Sequence, residues 1–193
     1  MSVQIYEGDD TVLFATGFAA GVDPLIAHLQ ERGGLDVIVV EHTDPDHFDA
    51  LEPLLDAFDA KVAVPAVEAD ILREKGYPVD VELEDGDVRW GVRCILVPGH
   101  TPGNMSFLVE ESDTLIVGDT FVHKNSFASA PGEWSGEFAP IKPGLNADDA
   151  AARENVIILA DYDFDVALMT HGLDVFENAR DELDALIDDL GLQ

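Results

Sequence analysis

The sequence predicts a chain of mixed α and β structure whose strands end in turns rich in potential ligands. Three observations predict it. Apolar runs of strand length, such as Val37-Ile38-Val39-Val40 and Thr114-Leu115-Ile116-Val117, alternate with stretches whose apolar residues recur at helical spacing. Gly, Pro and Asp close most of those runs, as turns require. Of the six histidines, His42, His47, His100 and His171 stand where a predicted strand gives way to a loop, the place where open α/β sheets put their ligands.

The elements follow in order. Short strands over 4–6 and 11–14 flank the turn Gly8-Asp9-Asp10. Asp23-Pro24 opens a helix that runs to residue 32 and stops at Gly33-Gly34. His28, inside it, reads as a surface or packing residue. The strand over 37–40 leads into His42-Thr43-Asp44-Pro45-Asp46-His47. Pro45 excludes Asp44 from helical geometry, and side chains two apart in an extended segment share a face, so His42, Asp44 and Asp46 are expected to converge. His47 then opens a helix over 48–58, with Leu51, Leu54, Leu55 and Phe58 along one side. A strand over 61–64 and a helix over 67–75, stopped by Gly76, come next. Hairpins are expected from 87–90 with 93–97 and from 106–110 with 114–117. Long helices are expected over 147–160 and 174–190. The acids of the last (Glu177, Asp181, Glu182, Asp184, Asp188, Asp189) read as a solvated face.

Three later apolar runs each end on one candidate ligand. His100 stands in Pro98-Gly99-His100-Thr101-Pro102-Gly103, Asp119 in Gly118-Asp119-Thr120, and His171 in Thr170-His171-Gly172. Imidazoles and carboxylates gathered at strand ends make a metal site the leading reading. The order H-x-D-x-D-H, GHTPG, GDT and a C-terminal HG resembles the metallo-β-lactamase fold superfamily, from about Thr11 to His171. The resemblance implies an α+β, αββα sandwich: two mixed sheets packed face to face, helices on the outer faces, and one or two metals at the sheet edge. It implies that His42, Asp44 and His100 hold one metal, that Asp46, His47 and His171 hold the other, and that Asp119 bridges them. Two positions depart from the family pattern. Asp44 stands where His is usual, and Ala15-Thr16-Gly17 stands where a turn beginning with Asp is usual. The second departure removes a carboxylate of the kind that orients metal ligands.

Charge sets the surroundings. The chain of 193 residues carries 40 Asp plus Glu against 10 Lys plus Arg, a formal net charge of −30. The acids are interspersed through a sequence that is 47% hydrophobic, so the chain is expected to fold, as one domain over 1–193. Such a surface reads as an adaptation to molar salt, where the Debye length falls to about 3 Å and self-repulsion is screened. It excludes nucleic acid as a partner, since phosphate neutralisation needs clustered Lys and Arg. Cys94, the one cysteine, lies in an apolar run and reads as a buried, inert thiol. No signal-peptide pattern or membrane span is visible, so a cytoplasmic protein acting on a small molecule is expected; the oligomeric state stays open.

Residues 121–146 break the periodicity and hold Phe121, Phe127, Trp134 and Phe138. A long segment of this kind, directly after Asp119, is expected to roof the metal cleft. Lys124 and Lys142 fall in it, in a chain whose other lysines are Lys61 and Lys75. Lys124, Lys142, His123 and Trp134 are therefore candidate contacts for an anionic substrate. The leading chemistry is hydrolysis of an ester, thioester, lactone or amide by a metal-bound hydroxide, with two divalent ions, zinc first and iron or manganese as alternatives. Asp46, besides ligating, is the candidate catalytic proton carrier. The extra carboxylate at Asp44 favours harder ions and keeps open a di-iron, flavodiiron-like redox protein or a mononuclear iron oxygenase using His42, His100 and Asp119.

Overall fold

The β-branched and aliphatic runs form strands, and the order in which those strands pair decides where their ends emerge. The computed structural model describes residues 1–192, which divide into two units: Val3–Glu84, and Met1–Ser2 together with the chain from Asp85 onward.

The N-terminal unit holds one five-stranded mixed sheet of β1 (Gln4–Glu7), β2 (Thr11–Phe14), β3 (Val37–Val39), β4 (Lys61–Pro65) and β5 (Val81–Leu83), in that spatial order. β1 and β2 form an antiparallel hairpin, and every later pairing is parallel. The parallel register sets Phe14 against Val39 and Ile38 against Val62, so β2, β3 and β4 end along one edge. Strand β3 is buried at all three residues, as an apolar run without alternation requires. Helices α1 (Asp23–Glu31), α2 (Pro45–Phe48), α3 (Leu51–Ala57) and α4 (Ala69–Glu74) complete this unit. Leu29, Leu51, Leu54 and Leu72 from them join Leu13, Ile38 and Val62 in its core.

The C-terminal unit holds a second five-stranded mixed sheet. Its strands are β6 (Val88–Arg89), β7 (Val92–Leu96), β8 (Met105–Val109), β9 (Thr114–Ile116) and β12 (Val166–Leu168), in the spatial order β12-β9-β8-β7-β6. A two-stranded ribbon of β10 (Val122–His123) and β11 (Phe138–Ala139) stands apart from it. β9 and β12 pair in parallel, whereas β7, β8 and β9 alternate in direction. β7, β9 and β12 therefore run the same way and end at the same edge. Helices α5 (Asp149–Glu154) and α6 (Ala179–Leu190) belong here, and α6 places Leu183, Leu186 and Ile187 on the cluster around Ile95, Leu115 and Phe121.

Several expected elements differ. The helix expected over 48–58 is two helices, because Asp49 and Ala50 are taken up by other partners. Asp49 accepts a hydrogen bond from the Ala19 amide, and the Ala50 amide donates to Thr16 Oγ1. The helix expected over 147–160 is α5, capped by Asp148 accepting from the Ala150 and Ala151 amides, followed by a 3₁₀ stretch over Asn155–Asp161. The last helix starts at Ala179 and not at 174. Val175 bridges to Ala167 as extended chain, and Asp174 accepts from the Met169 amide, so both are spent on the return to the sheet. The acids of the last helix are exposed as expected except Glu182, which is half-buried and accepts from the Glu137 amide; exposed Asp189 accepts from the amide and hydroxyl of Ser135. Those bonds tie down the long segment 121–146, which also contains the unexpected β10–β11 ribbon.

Candidate metal centre

In the N-terminal unit the chain leaves β3 and reaches His42 at the third residue past Val39. His42 and His47 are both fully buried, and their ring centroids lie 3.8 Å apart with planes at 45°. The i, i+2 spacing expected to converge three side chains does not operate as one extended strand. The backbone bends over residues 41–44, and Asp46 lies inside α2. Asp44 is extended (φ −76°, ψ 144°) immediately before Pro45 at the first helical position, as the proline demands. Its carboxylate oxygen Oδ2 comes to 3.9 Å from His42 Nε2, with the side chain 44% exposed. Asp46 is half-buried on the first turn of that helix.

Two buried acids that the motif did not single out shape this loop. Glu41 Oε2 lies 2.6 Å from His47 Nδ1, both side chains wholly buried. Glu68, from the short 3₁₀ turn after β4, accepts from both the amide and the hydroxyl of Thr43 at 2.6 Å. The turn Ala15-Thr16-Gly17 adds a backbone bond, with the Thr16 amide donating to the His47 carbonyl. A signal for Glu41 was present: a carboxylate that directly follows a four-residue apolar run and precedes a candidate ligand is positioned for burial. Glu68 has no comparable signal, because only the parallel pairing of β3 with β4 brings it beneath Thr43.

In the C-terminal unit, Asp119 and His171 are each the third residue past their strands, and β9 and β12 pair in parallel, so the two side chains emerge side by side. Asp119 Oδ2 lies 3.4 Å from His171 Nε2 and 3.3 Å from His100 Nε2. All three residues are buried. The Asp119 turn is held from below by Asn104. Its Oδ1 accepts from the Asp119 amide, while its Nδ2 donates to the Val97 carbonyl and the Thr120 hydroxyl. Gly118 permits the turn: it has φ +59°, and a Cβ there would collide with the Met105 carbonyl. Left-handed backbone alone costs other residues about 1–2 kcal/mol.

The segment after Asp119 lines a cavity of about 420 Å³ bounded by Met1, His123, Ser126, Phe127, His171 and Leu173. Phe127 meets the His171 ring edge-on at 5.6 Å between centroids and is 74% exposed. His123 is a buried residue of β10. Its Nδ1 accepts from the Asn125 amide, so Nε2 carries the proton and donates to Glu137 Oε2 at 3.2 Å. Lys124 donates to the other oxygen of Glu137 at 3.0 Å, a bond that, with the charge of Lys124 and the hydrogen bond from His123, holds the Glu137 carboxyl below its ordinary pKa. Lys142 donates to the Phe127 carbonyl at 3.0 Å, with its ammonium 5.7 Å from the centre of that ring. Trp134 packs against the α6 cluster and donates to the Ala130 carbonyl. The two lysines thus brace the segment, and Trp134 serves its packing.

The family model described as the metallo-β-lactamase superfamily matches residues 2–171. The chain belongs to that superfamily. Its fold is that of the solved superfamily structures. A metallo-β-lactamase from Pontibacter korlensis superposes with a TM-score of 0.74 at 17% identity, covering 99% of this chain and 87% of that one. An archaeal superfamily protein from Sulfolobus tokodaii does so with a TM-score of 0.66 at 22% identity, covering 98% and 78%. Among curated proteins, a hydroxyacylglutathione hydrolase of Cereibacter sphaeroides is 38% identical over 104 residues, 51% of this chain and 39% of that protein. A probable polyketide biosynthesis zinc-dependent hydrolase of Bacillus velezensis is 33% identical over 90 residues, 45% of this chain and 39% of that protein. The chain spans about two-fifths of the length of these relatives. Among the described residues, no helix is long and apolar enough to cross a membrane.

Proposed function

We propose that this metallo-β-lactamase superfamily chain is a metal-dependent hydrolase of a small ester or thioester. In this reading His42, Asp44, Asp46 and His47 of the N-terminal unit and His100, Asp119 and His171 of the C-terminal unit are the donors for two divalent ions. The observation that carries it is Asp119 Oδ2, which lies 3.3 Å and 3.4 Å from the Nε2 atoms of His100 and His171, three buried donor atoms that could together hold a divalent ion. The donor set fits: imidazole nitrogens with carboxylate oxygens suit zinc, iron and manganese. Bound divalent ions would supply Lewis acidity and water that ionises near neutral pH. The chain's own groups do the rest. His42 and His47, both fully buried, offer imidazole nitrogens as donors. Asp46 orients the attacking water and carries its proton to the leaving group. Phe127 and Leu173 offer an apolar wall beside His171 for the acyl or leaving portion of the substrate. The likeness to a hydroxyacylglutathione hydrolase and to a zinc-dependent hydrolase supports a thioester as the first substrate to try and zinc as the first metal. The −30 charge supports operation in molar salt.

The test is turnover of an S-acylglutathione by protein purified in molar salt, with metal content measured on the same sample. Chelation should abolish turnover and zinc should restore it. His171→Ala and Asp46→Ala should each lower kcat/KM at least 100-fold, roughly the scale of a lost acid–base or metal contribution, with the fold retained. Full turnover with one ion per chain would remove the dinuclear scheme. Turnover that requires oxygen or a reductant would replace hydrolysis with the iron redox or oxygenase alternative.

A further inference from the structure

We propose that Glu41 is the positioning residue for His47. Its carboxylate keeps the proton on Nδ1 and turns Nε2 into the donor, so this chain carries its own orienting carboxylate inside the β3 loop. The inference rests on the reading of His47 as a metal donor.

The geometry is specific. Glu41 and His47 are separated by six residues, and their side chains, each wholly buried, meet at 2.6 Å between Oε2 and Nδ1. That distance is short for a nitrogen–oxygen pair and typical of a charge-assisted bond. A carboxylate can only accept, so the shared proton belongs to Nδ1, and the lone pair of a neutral ring is left on Nε2. Two further contacts fix the ring and its backbone. His42 packs on it at 3.8 Å, and the Thr16 amide holds the His47 carbonyl at 3.0 Å. The neighbouring Ala15, buried in that same turn, ends in a methyl group and offers no side-chain polar atom. Glu41 is therefore a carboxylate placed at the Nδ1 side of this ring.

A purely structural role accounts for the pair poorly. Removing a carboxylate and an imidazole from water costs folding free energy, and an apolar pair of similar volume would pack as well or better. The return on a buried carboxylate–imidazole bond is a defined tautomer and a more basic second nitrogen, which is what a metal-binding histidine needs.

The experiment titrates zinc against a competing chelator in molar salt, for the wild type, Glu41→Gln, Glu41→Ala and His47→Ala. Nitrogen NMR of the His47 ring reads the tautomer of the same proteins before zinc is added. Glu41→Ala is expected to bind zinc about 10–100-fold more weakly, the range found for lost partners of metal ligands, and to lose the preference for a protonated Nδ1. Glu41→Gln keeps the size and an acceptor but not the charge, so an intermediate loss is expected. It decides the matter if the alanine variant fails to fold. Wild-type zinc affinity and tautomer in Glu41→Gln, with binding lost in His47→Ala, would overturn the role of Glu41 and leave the metal reading standing. Unchanged zinc binding in His47→Ala would overturn both.

Discussion

Asn146 Oδ1 stands 3.1 Å from Nδ1 of His100, across 46 residues of chain. Asn146 Nδ2 is committed to Asp149 Oδ1 at 2.8 Å, which leaves its oxygen for the ring. His100 therefore carries its proton on Nδ1 and turns Nε2 toward Asp119. Asn146→Ala is expected to weaken zinc binding about 10-fold, at the lower end for an orienting partner, with little change in far-UV circular dichroism. Equal zinc affinity in the variant and the wild type, measured by chelator competition, would count against the orientation.

Asp44 tests what an added carboxylate does near His42. Its oxygen is 3.9 Å from His42 Nε2 and partly open to water. Asp44→His should raise the proportion of zinc over iron and manganese in protein loaded from an equimolar mixture, because imidazole replaces a hard anionic oxygen donor. Identical metal content in Asp44→His, Asp44→Ala and the wild type would show that Asp44 is not a ligand.

Salt dependence follows from the net charge of −30. Self-repulsion among the acids acts over about 10 Å at 0.1 M salt and about 3 Å at 1 M. The melting temperature is expected to rise by more than about 10 °C between 0.1 M and 3 M KCl, several times the shift that 1 kcal/mol produces in a chain of this size. A flat profile would instead point to a basic partner for this surface.

Cys94 should be silent. Burial in β7 pushes its thiol up to about 12, because the thiolate cannot be solvated there. The sign is simple: at pH 8 the native thiol stays protonated, and only the thiolate reacts. A disulfide-exchange reagent should label it in denaturant and leave the folded protein unlabelled over minutes. Rapid labelling of native protein would contradict the buried placement.

What the sequence determined by itself was the set of candidate ligands and the strand ends that carry them. His42, His100, Asp119 and His171 each follow an apolar run closed by a turn, and burial of such runs as strands is a local consequence of composition. Family membership was legible for the same reason, since ordered motifs are a property of the chain alone. The continuity of helices was less so. Residues 48–58 have unbroken helical spacing, yet Asp49 and Ala50 break it by bonding to Ala19 and Thr16, some thirty residues away in the chain. The tautomers of His47, His100 and His123 were outside the reach of the sequence, because each depends on one partner set by folding: Glu41, Asn146 and the Asn125 amide. The lysines of segment 121–146 show the same limit. Their retention in an acidic chain was visible, but only the fold directed Lys124 to Glu137 and Lys142 to the Phe127 carbonyl. Local propensity and burial decide which residues reach a strand end. Hydrogen bonds are short and directional, so which atom of a ring faces its neighbour is decided only when distant segments are packed within about 3 Å of one another.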